Sequence, residues 1–240
     1  MKPATFETHA VRNASRATVI LDFDGTITEA DTTDEILNRF ANSEWKTIEE
    51  RWEEGTIGSQ KCLSMQTALI SATPKQVDLL LQQIPVDPGY LVFVRACQDL
   101  NIQILIVSDG YDRSINKVLR GNQLVSGIFS SRLINMGSRY WRLRSPHFSF
   151  ACRSGASTCK CEIAEATKTP IVLVGDGQSD FCLAEKAGYV LAKGKLAEYC
   201  SENKIPYFPI QNLLEASSQI REIVASRMFV GQNDSDRPSD

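Results

Sequence analysis

The sequence predicts an α/β protein, a doubly wound parallel sheet with a helical domain inserted after its first strand. Three observations carry that reading. Short apolar runs at Thr18 to Leu21, Ile102 to Val107 and Pro170 to Val174 have the length and β-branched content of buried parallel strands. These runs alternate with helix-like stretches, the pattern of a parallel sheet covered on both faces. Each run then ends in polar residues and glycine: Asp22-Phe23-Asp24-Gly25, Ser108-Asp109-Gly110 and Gly175-Asp176-Gly177. Open α/β sheets bind their ligands at the carboxyl ends of strands.

Composition narrows the class. The chain has 240 residues, 42% apolar and 23% charged, enough for one large core or a core with an insert. A net charge of −3 gives no electrostatic basis for nucleic acid or an anionic membrane as partner. No apolar run approaches the roughly 20 residues that span a bilayer. Residues 1–16 lack the apolar centre of a secretory signal, so a cytoplasmic location is expected. Seven cysteines in so long a chain are expected to be reduced thiols, and the sequons at Asn13 and Asn233 then carry no meaning.

Residues 1–16 show no periodicity and read as a loose arm. From Asp31 to Ile84 the pattern is helical throughout: Ile36, Leu37, Phe40 and Ala41 form one apolar stripe, and Trp45, Ile48 and Trp52 another. Gly55 and Gly58 interrupt it; Cys62, Leu63, Leu69 and Ile70 resume it. Thr73-Pro74-Lys75-Gln76 is a helix start, with Thr as cap, Pro at the first position and Gln at the third. Residues 32–86 are therefore expected to form a helical cap, 17–31 and 87–229 the core, and 230–240 a disordered tail. Asp87-Pro88 predicts a helix start, with Leu91, Val92, Val94 and Ala96 on the helix. Residues 111–120 predict a helix with Ile115, Val118 and Leu119 inward. Short β-like runs follow within 125–150, and Arg132 to Arg144 reads as a solvated hairpin in preference to an RNA contact. A Gly/Ser/Cys-rich loop at 152–159 precedes a helix from near Lys160. Tyr189 to Ala192 predicts a strand and 211–228 a last helix.

The chemistry gathers at the strand ends. Two-residue alternation points Asp22 and Asp24 the same way. Two carboxylates about 4 Å apart at an effective dielectric of about 20 repel by roughly 4 kcal/mol. A bound cation or a proton must relieve that. With Ser108, Lys160, Asp176 and Asp180 the set suits cleavage of a phosphate monoester, where neutralising the phosphate is the main task. Oxygen-only ligands suit Mg²⁺. Lys160 adds a second positive charge, and the Ser108 hydroxyl with the Gly25 and Gly110 amides would hold phosphate oxygens. One aspartate can attack phosphorus while its neighbour carries a proton. Lys168 is the nearest competitor for the lysine role. Cys152, Cys159 and Cys161 are spaced irregularly for Zn²⁺ and read as a reduced loop. Trp45 and Trp52 read as cap packing, and His9 and His147 offer no nucleophilic triad.

Asp-Phe-Asp-Gly-Thr after a strand, Ser ending a second strand, a lone Lys and then Gly-Asp-Gly-x-x-Asp, in that order, resemble the haloacid dehalogenase superfamily of phosphohydrolases. The resemblance covers about residues 16–225 and implies a Rossmann-like core with a C1-type cap, as in the phosphoserine phosphatase branch. It implies Asp22 as nucleophile, Asp24 as general acid/base and giver of a carbonyl to Mg²⁺, and Asp176 as a Mg²⁺ ligand. It further implies Asp180 supporting the metal site and Lys160, Ser108 binding phosphate, and Thr26 orienting the Asp24 loop. That branch holds its amino-acid head group with a cap Glu and a cap Arg. Here Asp31 and Gln66 stand at those positions, and Gln cannot replace a bidentate guanidinium. A methionine-salvage branch is the nearer resemblance, through Glu44-Trp45, the Asp-Pro-Gly-Tyr run at 87–90 and the cysteines around Lys160. Asp109 stands where the family often has Gly and is expected to point away. The resemblance implies a monomer or homodimer acting on a small phosphorylated metabolite; a phosphotransferase or a non-catalytic binding module are the alternatives.

Overall fold

A computed structural model describes residues 15–121 and 124–226. The tail at 230–240, both sequons, His9 and all but the last two residues of the arm lie outside the described residues.

A seven-stranded sheet forms the centre, in the order β4-β3-β2-β1-β5-β6-β7. Its first strand, β1 (Thr18–Leu21), is buried on both faces and pairs in parallel with β2 (Gln103–Tyr111) and β5 (Ile171–Gly175). Beyond β5 lie β6 (Tyr189–Ala192) and the two-residue β7 (Phe208–Pro209), both parallel. On the other side, β3 (Gly127–Asn135) runs parallel to β2, but β4 (Trp141–Arg144) is antiparallel to β3. The sheet is therefore mixed at one edge, because a short turn at 136–140 can only return the chain antiparallel.

Side-chain alternation divides the core. Val19 and Leu21 face one layer, formed by α5 (Tyr90–Asp99), α6 (Asp112–Leu119) and α10 (Leu213–Ala225). Ile20 faces the other, formed by α7 (Lys160–Thr167), α8 (Phe181–Ala184) and α9 (Gly194–Glu202). The apolar period at 90–99 is shifted from the predicted one. Tyr90, Phe93, Val94, Ala96 and Cys97 are buried while Leu91 and Val92 are exposed, because α5 starts two residues after Pro88. There the Asp87 carboxylate caps the turn through the Gly89 amide (2.7 Å) and also takes the Leu213 amide (3.0 Å).

Between β1 and β2 come α1 (Thr32–Phe40), α2 (Glu44–Glu53), α3 (Ser59–Leu69) and α4 (Pro74–Leu81). Thr73 and Gln76 form the expected reciprocal cap on α4. The insert leaves and rejoins the core through one narrow neck, where Thr28 bridges Val86 and the Asp87 amide donates to the Ile27 carbonyl (2.8 Å).

The β3–β4 hairpin departs from the solvated reading. Leu133, Trp141 and Leu143 are buried, and Trp141 Nε1 donates to the Ala72 carbonyl of the insert (2.8 Å). The Arg113 guanidinium lies over the Trp141 ring and pairs with Asp78 of α4 (2.7 Å). The arginines and tyrosine that give this stretch its polar look occupy the alternate, outward positions. Replacing Trp141 with Phe should cost about 1–3 kcal/mol, since it removes both a buried hydrogen bond and ring volume. Urea unfolding of the variant against the parent measures it.

Candidate active site

Asp22, Ser108 and Asp176 come from three adjacent strands, and the parallel register brings their carboxyl ends to one edge. The Asp22 amide extends the ladder by one bond to the Val174 carbonyl (2.9 Å), fixing the residue just past β1. With Asp24, Asp31, Asp34, Glu49, Gln66, Asp109 and Gly110 these residues line a cavity of about 150 Å³ between the core and the insert. That is smaller than the roughly 300 Å³ at which sites for drug-sized ligands begin.

Lys160, the first residue of α7, is 3% exposed and sits between two carboxylates. Its Nζ is 2.8 Å from Asp22 Oδ2 and 2.5 Å from Asp180 Oδ1, and donates to Ser179 Oγ (3.0 Å). Burial alone would depress its pKa, but Asp180 and Asp22 outweigh that and hold it above the ordinary lysine range. Lys168, the competitor, lies at the opposite end of α7, in a left-handed conformation.

Asp24 accepts from both the Thr32 amide (2.8 Å) and the Thr32 hydroxyl (2.6 Å). Removal from water, and then the charge of Asp31, push its pKa well up in spite of those bonds. A carboxyl whose pKa is raised is suited to give a proton to a leaving group. Gly110 lies against it: a Cβ there would strike the Asp24 carboxylate and crowd Ser108 Oγ.

Asp176 lies over Gly25, whose φ of +70° and missing Cβ leave room for the carboxylate. Thr26 Oγ1 donates to Asp176 Oδ1 (2.5 Å). Burial, and after it the Asp22 charge, push Asp176 up to about 6. Among the described residues, no three His, Cys, Asp or Glu side chains are grouped to hold a metal ion by themselves. An all-oxygen set with this surplus of negative charge nevertheless fits a hard divalent cation, which keeps several water or phosphate ligands of its own.

Several placements differ from the expected roles. Thr26 holds Asp176, and Thr32 takes over the fixing of Asp24. Asp180 is fully buried behind Lys160, its second oxygen accepting the Gly177 amide (3.3 Å), so it gives the lysine the expected support from outside the cavity wall. The Gly110 amide donates to Ser108 Oγ (3.0 Å), which orients that hydroxyl and occupies the amide. Gly25 supplies room for Asp176 and is not part of the cavity wall. Asp109 does not point away: it faces the cavity, accepting Ser59 Oγ of α3 (2.5 Å) and the Thr158 amide (2.8 Å). Asp31 caps α1 through the Thr33 and Asp34 amides and also lines the cavity.

Sequence reasoning missed Thr32, Asp34, Glu49 and Ser179. Ser179 was signalled only as an unspecified position in the Gly-Asp-Gly-x-x-Asp run. Gln66 is 2% exposed and donates to Glu49 Oε2 (2.6 Å), which brings α2 and α3 together at the wall.

A family model described as Putative Phosphatase matches residues 17–192, spanning every motif named above. The chain belongs to this phosphatase family. Among curated proteins it is similar to the 2-hydroxy-3-keto-5-methylthiopentenyl-1-phosphate phosphatase of an Exiguobacterium species. Identity there is 26% over 211 residues, covering 85% of this chain and 97% of the relative. The protein of that name from Geobacillus thermodenitrificans is 28% identical, covering 84% of this chain and 94% of its own length. Among solved structures, a phospho-aspartyl intermediate analogue of phosphoserine phosphatase has a TM-score of 0.65 at 21% identity, covering 88% of this chain and 99% of that one. The phosphoserine phosphatase of T. onnurineus has 0.67 at 16%, covering 89% and 98%. The fold is thus that of the haloacid dehalogenase phosphatases, as the motif order implied.

The acidic wall has a measurable consequence. Asp34 and Asp176 each rise from an ordinary 3.8 to about 6 on folding, burial being the first cause for both. A raised carboxyl favours the folded state below its unfolded pKa and loses that contribution as pH climbs through the folded value. In chelator, thermal stability should therefore fall as pH rises from about 4 towards and past 6, and Asp34→Asn should flatten the profile.

Proposed function

We propose that the protein hydrolyses a small phosphate monoester through an aspartyl-phosphate formed on Asp22, with Mg²⁺ as cofactor. The observation that carries this reading is Asp22 held 2.8 Å from the buried Lys160 ammonium, at a cavity that Asp24, Ser108 and Asp176 also line. Asp22 Oδ2 attacks phosphorus as the phosphoryl group transfers, and Asp24 gives its proton to the departing oxygen. Lys160 and the Ser108 hydroxyl hold the equatorial oxygens as charge spreads over them. Asp24, now a base, takes a proton from water, which releases phosphate and restores Asp22. Mg²⁺, held by Asp22, the Asp24 carbonyl and Asp176, would neutralise the phosphate dianion. One structural neighbour is a phospho-aspartyl intermediate analogue of phosphoserine phosphatase, which agrees with this route. Residues 32–86 act in this scheme as a cap that excludes water over a core of 17–31 and 87–229.

The wall also supports a choice of substrate. Facing the phosphate site from the insert are Asp31, Asp34, Glu49 and the Gln66 amide, already committed to Glu49. No cation among them meets a substrate carboxylate, which disfavours phosphoserine. Acceptors of this kind suit an uncharged leaving group that offers a hydroxyl donor. The 2-hydroxy-3-keto-5-methylthiopentenyl phosphate of the named relatives carries one hydroxyl and no carboxylate, and is the first substrate to try.

Asp22→Asn should lower release of phosphate from p-nitrophenyl phosphate with Mg²⁺ by at least about 10³-fold; retained turnover would refute the nucleophile. Phosphate released per ester consumed should be one to one, whereas a phosphotransferase falls short of that when an acceptor alcohol is present. Glu49→Gln should raise kcat/KM for phosphoserine relative to p-nitrophenyl phosphate, because it removes one charge that repels the carboxylate.

A further inference from the structure

Away from the active site, α7, α8 and the loop before α7 enclose a second cavity, of about 450 Å³. Four of its lining side chains are cysteines, Cys152, Cys159, Cys161 and Cys182, and all are free thiols. Two of them, Cys152 and Cys159, line that one cavity from the two ends of a single short loop. These two bracket the loop 152–159. The loop is folded back by the Gly155 amide on the Cys152 carbonyl (3.1 Å), and the Cys159 amide is tied to the His147 carbonyl (3.0 Å). Both sulfurs are thereby brought to one wall.

The two thiols differ in character. Burial works to raise Cys152, but the Ser154 hydroxyl (3.3 Å) and the Ser154 and Ala156 amides face its sulfur and hold it below the usual range. Cys159 is pushed up, by burial first. A thiol held below the usual range in the same cavity as one held above it suits an attacking and a resolving cysteine.

We propose that Cys152 and Cys159 form a reversible dithiol–disulfide couple, with a hydroperoxide as the electron acceptor. The Cys152 thiolate attacks the peroxide O–O bond, giving a sulfenic acid and, with one proton, water or an alcohol. The Cys159 sulfur then attacks Cys152 Sγ, forming S–S and expelling hydroxide, which takes the Cys159 proton and leaves as water. Two thiols are oxidised by two electrons and one peroxide is reduced by two.

The loop so closed touches the active site in three places. The Gly155 carbonyl accepts the Gln60 amide of the insert (2.9 Å), the Thr158 amide holds Asp109, and Cys159 is the cap of the helix that begins at Lys160. Drawing the sulfurs in to about 2.05 Å displaces the loop ends and with them the lysine and the docking of the insert. Turnover falls on oxidation; that consequence rests on the phosphatase reading, whereas the bridge itself does not.

The full-length protein is treated with hydrogen peroxide and then with dithiothreitol, and is followed by intact mass and peptide mapping. The expected result is loss of two hydrogens, a Cys152–Cys159 cross-linked peptide and complete reversal by dithiothreitol, with no cross-link in Cys152→Ser. Turnover of p-nitrophenyl phosphate should fall several-fold in the oxidised protein, recover on reduction and stay unchanged by peroxide in Cys152→Ser. Peptides linking other cysteines, or oxidation of Cys152 to an acid with Cys159 still free, would overturn the couple. A bridge without loss of turnover would overturn its connection to Lys160. A reduced protein inactive on every phosphate ester would count against the phosphatase reading alone, since the mass readout still decides the couple.

Discussion

A single buried ammonium group holds the active edge of this protein together. Lys160 stands between Asp22 and Asp180 with almost no access to water. Three charges removed from solvent are costly, and they persist only where each finds a partner at short range. Asp180 answers the lysine from behind, so that Asp22 remains available on the cavity side. Around this trio the remaining charge is one-sided: Asp24, Asp31, Asp34, Glu49 and Asp176 face the same space. The site suits a ligand that brings a cation or donates hydrogen bonds, since like charges facing one space repel.

The sheet and the insert have separate tasks in building that site. Parallel pairing of β1 with β2 and β5 aligns three strand ends to within one register step, and the break in the β2–β3 ladder after Val107 turns Ser108 and Asp109 into the cavity. The insert supplies the opposite wall. It is joined covalently only at the neck of Thr28 and Val86, yet docks by Trp141 on Ala72, Tyr111 on Thr67 (2.8 Å) and Ser59 on Asp109. These apolar and polar contacts, spread around a narrow neck, hold the insert against the strand ends.

Asp109 illustrates how a residue can look anomalous in one dimension. Beside Ser108 it adds a carboxylate to an already acidic edge. In the fold it gathers the start of α3 and the loop before α7, segments that lie 50 residues before it and 49 after it in the chain. Burial raises its pKa, while the bonds from Ser59 and Thr158 act to lower it. It ties the wall of the insert to the loop that delivers Lys160.

The sequence by itself determined the central strands, the run of helices after the first of them and the polar residues that converge at the strand ends. Strand and helix periods are local properties, and Asp22, Ser108, Lys160 and Asp176 each follow or open an element whose pattern is plain. The capping box at Thr73 was legible for the same reason, since all its atoms lie within one turn. What only the tertiary structure decided is who holds whom. Thr26 and Thr32 are both threonines near the first motif, and nothing in their spacing tells that one serves Asp176 and the other Asp24. The antiparallel turn of β4, the burial of Trp141 and the partnership of Asp180 with Lys160 likewise depend on contacts between distant segments. Side-chain hydrogen bonds are satisfied across space, so their pairing is fixed by packing and not by order along the chain.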